Sequence, residues 1–154
     1  MKKVLIAYFS ATGTTEKMAE YIAEGIRISG QGVMVRKTSE VKAPDDLGGY
    51  DGFIFGAPTY SLDLPEPMKK FLLTLEKAGL EGKLAGAFGS YTHDISYQHE
   101  DYAPAIMLKT LQDICKMEPF ELGPFNLQEE VAKTDEGIKA CHDYGRVFGE
   151  KLGS

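Results

Sequence analysis

Six residues near the amino terminus carry the densest chemistry in the chain. Ser10-Ala11-Thr12-Gly13-Thr14-Thr15 places four hydroxyls and a glycine between an apolar run and a segment of helical period. Such a segment reads as a loop that opens a helix. The first backbone N–H groups of a helix have no partner in the chain and the macrodipole is positive there, so an anion is favoured. Gly13 lets the backbone take φ > 0 or approach the anion closely, and the hydroxyls of Ser10, Thr12, Thr14 and Thr15 can donate further hydrogen bonds. A plain helix cap needs one hydroxyl, not four. The loop contains no lysine or arginine and lacks both GxxxxGK[ST] and GxGxxG, which argues against a nucleoside triphosphate or a dinucleotide. One terminal monophosphate held by neutral donors is the ligand it suits.

Metal chemistry finds no support in the spacing. Cys115 and Cys141 match no zinc or CxxC pattern, and His93, His99 and His142 show no ligand arrangement. The two thiols are expected to be reduced, in keeping with a cytoplasmic protein.

The elements that must position the loop follow from periodicity. Val4 to Phe9 is a continuous apolar run, the pattern of a strand buried on both faces. Met18, Ala19, Ile22, Ala23 and Ile26 then recur at helical spacing. Further strands are expected over Val33–Val35, Gly52–Gly56, Leu84–Phe88 and Phe120–Phe125, the last interrupted by Gly123-Pro124. Helices are expected over Pro65–Leu75, Tyr102–Met117 and Thr134–Leu152, and a long loop from Gly89 to about Asp101. Strands alternate with helices throughout, which implies an α/β domain with a mostly parallel sheet and helices on both faces. Ligands in such sheets bind beyond the carboxyl ends of the strands, where strand order reverses. With no repeat, linker or low-complexity tract, residues 1–154 read as a single domain.

The loop resembles the flavodoxin family, whose phosphate-loop pattern [ST]-x-T-G-x-T is met by Ser10, Thr12, Gly13 and Thr15. The likeness extends over the chain in element order and size. It is that of a short-chain member, since no long insertion fits the fifth strand. Gly56-Ala57-Pro58-Thr59-Tyr60 also resembles the flavin-domain loop of flavo-diiron proteins, although no diiron domain is present. The resemblance implies a three-layer, doubly wound sheet of five parallel strands in the order 2-1-3-4-5. It further implies non-covalent FMN and low-potential, one-electron transfer between redox proteins.

It also implies which loops hold the ring. After the third strand, Pro58, Thr59, Tyr60 and Ser61 stand where the family puts its stacking aromatic; Tyr60 takes that role and Pro58 stiffens the loop. After the fourth strand, Ser90 and Tyr91 are expected to offer backbone contacts to the polar edge of the ring, with Tyr97 as the second stacking aromatic and Tyr91 its competitor. Asp63, Glu66, Asp94, Glu100 and Asp101 form a candidate acidic rim. One carboxylate about 10 Å from the ring at an effective dielectric of 20 contributes roughly 1.7 kcal/mol, or about 70 mV for one electron.

The charge balance is 17 basic against 23 acidic residues, −6 in all. A net acidic surface argues against nucleic acid and fits redox partners with basic docking faces. The longest apolar run is far short of the roughly 20 residues that a membrane span needs. A monomer is expected. The competing readings are an FMN-dependent NAD(P)H:quinone or azo reductase, and a flavin-free or regulatory binding module. A response-regulator receiver is set aside, because Ser10-Ala11 and Ala57-Pro58 stand where its acidic groups belong.

Overall fold

Every side chain from Val4 to Tyr8 is buried, and their alternation divides the core in two. The computed structural model describes residues 1–59, 64–92 and 102–154. In it, strand β1 (Lys3–Tyr8) lies inside a parallel sheet, between β2 (Gly32–Lys37) and β3 (Gly52–Gly56). Ile6 pairs with Val35 on one side and with Ile54 on the other. Leu5 and Ala7 join Phe53, Phe55, Ala85 and Ala87 in one core layer; Val4, Ile6 and Tyr8 join Ile54 and Phe88 in the other. The order is β2-β1-β3-β4-β5 with β4 at Leu84–Tyr91 and β5 at Glu118–Pro119, as the family resemblance implied.

Helices α2 (Glu66–Glu76) and α3 (Ala103–Asp113) supply Met68, Phe71, Met107 and Leu111 to the first layer. Helices α1 (Thr14–Ile28) and α5 (Asp135–Gly153) cover the second. Met18, Ile22 and Ile26 of α1 are at most 1% exposed. Each such burial contributes roughly 1.5–3 kcal/mol, more than the differences in helix propensity among ordinary residues. Packing therefore decides α1. The two helices cross closely at glycines: a Cβ on Gly25 would overlap the His142 carbonyl oxygen, and one on Gly145 that of Ile22.

The fifth position departs from expectation. Instead of one strand over Phe120–Phe125, two short strands, β5 (Glu118–Pro119) and β6 (Phe125–Gln128), pair with successive parts of β4. Gly123 at φ 74° and Pro124, which has no N–H to donate, break the ladder between them. Pairing with β6 carries β4 on to Tyr91, so Ser90 and Tyr91 end a strand rather than begin a loop. Helix α3 stops at Asp113 and leaves Ile114 52% exposed, although Ile114 fits the apolar stripe in sequence. The backbone turns at Lys116, φ 57°. A short helix α4 (Glu129–Ala132) follows β6 directly.

Candidate functional site

The loop after β1 is ordered by its own first hydroxyl: Ser10 Oγ accepts the Gly13 N–H at 3.1 Å. Gly13 takes φ 92° and stands at the N-cap of α1, where no side chain caps the helix. Its carbonyl receives the Lys17 N–H, the first helical bond. The amides of Thr14, Thr15 and Glu16 thus open the helix without an intrahelical acceptor. A Cβ built on Gly13 meets none of the described residues within 4 Å.

The four hydroxyls have separate duties, which is not the uniform ring of donors that the sequence suggests. Thr12 Oγ1 and Thr14 Oγ1 both donate to Glu129 Oε1, at 3.2 and 2.8 Å. Thr15 Oγ1 is buried and lies 3.1 Å from Ser90 Oγ. Ala11 is exposed on the loop. Two of the loop hydroxyls therefore already hold one oxyanion, the Glu129 carboxylate, and that is the chemistry a phosphate would present. The residues fit such a group.

The loops after β3 and β4 are laced to this seat. Ala57 N–H donates to the Phe88 carbonyl, and Thr59 N–H to the Ser90 carbonyl at 2.9 Å. Thr59 Oγ1 accepts the Ala103 N–H at 2.9 Å, tying the loop to the start of α3. Pro58 is half-buried beside it. The Ser90 carbonyl is thus already engaged within the sheet. The Tyr91 ring is buried and packs on Tyr102, centroids 4.8 Å apart. Tyr91 thus faces the fold. Tyr60, Ser61 and Tyr97 lie outside the described residues, as do Asp63, Asp94, Glu100 and Asp101 of the candidate rim. Glu66 opens α2.

Three features were missed in the sequence. Glu129 reaches the loop from 115 residues beyond Thr14, and nothing in a Gln-Glu-Glu run signals that contact. Asn126, across from Gly89 in the β4–β6 register, buries a side-chain amide with no hydrogen-bond partner among the described residues. A cavity of about 550 Å³ opens on the other flank of Ser10, lined by Tyr8, Phe9, Val41, Phe71 and Lys70 among others. Burial pushes the Tyr8 phenol above its ordinary pKa, and the Glu16 carboxylate, which it hydrogen-bonds, pushes it further. Among the described residues no cluster of His, Cys, Asp or Glu is arranged to hold a metal ion.

The family model described as "Flavodoxin domain" matches residues 5–125. The chain belongs to the flavodoxin family. Among curated relatives, a flavodoxin of Clostridium saccharobutylicum is 40% identical over 90 residues, 57% of this chain and 55% of that one. An NAD(P)H dehydrogenase (quinone) of Acidithiobacillus ferrooxidans is 35% identical over 119 residues, 64% of this chain and 60% of that one. The chain thus spans a little over half the length of these relatives. Among solved structures, a flavodoxin from the domain Archaea superposes with a TM-score of 0.85 at 28% identity, covering 99% of both chains. FMN is the flavodoxin cofactor, and the start of α1 has the backbone and hydroxyl donors that its phosphate requires.

Proposed function

We propose that this chain is a low-potential one-electron carrier that holds FMN non-covalently and shuttles electrons between redox proteins. Bound FMN supplies the reversible electron chemistry; the protein binds it, orients it and sets its surroundings. In this reading Ser10, Ala11, Thr12, Gly13, Thr14 and Thr15 hold the phosphate. Tyr60 and Tyr97 flank the ring, Pro58, Thr59 and Ser61 shape the first ring loop, and Ser90 and Tyr91 set the base of the second. The observation that carries the reading is the uncapped start of α1 at Gly13, whose neighbouring hydroxyls already hold an oxyanion. The net charge of −6 supports docking to basic faces on partner proteins. Residues 1–154 act as one domain and a monomer in the cytoplasm, a setting with which two free, buried thiols agree. No helix among the described residues is long and apolar enough to cross a membrane. The test is stepwise reduction of the purified protein followed by absorption. A flavin spectrum that bleaches in two one-electron stages supports the carrier, and protein that retains no flavin from added FMN refutes it.

A second reading has its own support. The relative of the quinone dehydrogenase type and the aromatic-walled cavity beside Ser10 favour an FMN-dependent NAD(P)H:quinone-type reductase. Steady turnover of NADH with a quinone by the isolated chain would select it. Flavin binding without reduction by either route would select a regulatory module.

A further inference from the structure

We propose that Glu129 is an internal counter-ligand: its carboxylate occupies the phosphate seat and must leave it before FMN can bind. Its charge then sets how tightly this chain takes the phosphorylated flavin. The proposal rests on the phosphate seat assigned above. Thr12 Oγ1 and Thr14 Oγ1 give their hydroxyl protons to the same oxygen, Glu129 Oε1, at 3.2 and 2.8 Å. A hydroxyl has one proton to donate, so neither can serve a phosphate oxygen while Glu129 holds it. A carboxylate and a dianionic phosphate competing for the same donors also repel each other. Binding therefore exchanges one oxyanion for another.

The displaced side chain has somewhere to go. A cavity of about 200 Å³ beside the loop is lined by Thr12, Gly13, Thr14, Lys17, Glu129 and Lys133, among others. Among the described residues Lys133 is tied to Glu130 alone, at 3.9 Å and with both side chains well exposed. Such a contact is weak, so its ammonium is available to a carboxylate that swings off the hydroxyls. Glu129 opens α4 directly after β6, which makes the exchange a rotamer change at a helix start and not a rearrangement of the sheet.

Dissociation constants of FMN and of riboflavin, followed by quenching of flavin fluorescence, test this in the wild type, Glu129→Gln and Glu129→Ala. Gln keeps the shape and removes the charge. Both variants should bind FMN about tenfold more tightly, leave riboflavin binding unchanged, and lose much of the gain at high salt. Unchanged or weaker FMN binding in Glu129→Gln overturns the proposal. So does weaker binding in Glu129→Ala alone, which would make Glu129 a strut for the loop. Wild-type protein that binds riboflavin as well as FMN overturns the phosphate seat itself, and this proposal with it.

Discussion

The hydroxyl of Thr15, in the first turn of α1, lies 3.1 Å from the hydroxyl of Ser90, next to the end of β4. Both residues are buried, 1% and 4% exposed. The phosphate loop is thereby fixed to the strand that leads into the second ring loop. If Ser90 donates, Thr15 keeps its own proton for the seat. Ser90→Ala should weaken FMN binding and leave riboflavin binding unchanged. Thr15→Val leaves a buried Ser90 hydroxyl unpaired and should cost about 1–3 kcal/mol of stability. The double variant should cost less than the sum of the two, and urea unfolding of all four proteins measures the coupling.

Gly13→Val separates binding from folding. The backbone there is left-handed, φ 92°, and no described residue lies within 4 Å of a Cβ built there. Stability should fall by about 1–2 kcal/mol from backbone strain, visible as a lower thermal midpoint with the fold retained. FMN binding should fall much further, since the added methyls fill the space over the helix amides. An FMN titration alongside circular dichroism compares the two losses.

Asn126 buries both polar atoms of its amide without a partner among the described residues. A desolvated, unpaired amide costs stability that an apolar side chain of similar size does not. Asn126→Leu should therefore raise the unfolding free energy by about 1 kcal/mol. A lower value in denaturant titration would mean that the amide has a partner in solution.

Burial pushes the Cys141 thiol up to about 12 from its ordinary 9.0, and raises Cys115 as well. Both should resist a thiol-labelling reagent at mildly alkaline pH until the protein unfolds. The linkage has a definite sign. The folded state keeps the Cys141 proton that the unfolded chain gives up, so the thiol has no effect on stability below about pH 9. Stability then falls as pH rises from 9.0 towards 12. Cys141→Ala should flatten that decline, measured as the denaturant midpoint against pH.

The sequence by itself determined the sheet and placed a hydroxyl-rich loop at the start of its first helix. Val4 to Phe9 is apolar without alternation, the pattern of a strand covered on both faces. Ser10 to Thr15 falls at the junction of that strand with a helical period, and a helix start exposes amides wherever it occurs. Both signals are local, so one stretch of chain carries them. Ile114's exposure and the division of the fifth strand are less readable, because Ile114 fits the helical spacing and only the pairing with β4 separates β5 from β6. The tertiary structure alone decided how each hydroxyl is used. Thr15 meets Ser90, 75 residues away, and Thr14 meets Glu129, 115 residues away; periodicity holds no record of such contacts. It also turned Tyr91 inward onto Tyr102, because pairing with β6 extends β4 and fixes which way that side chain points.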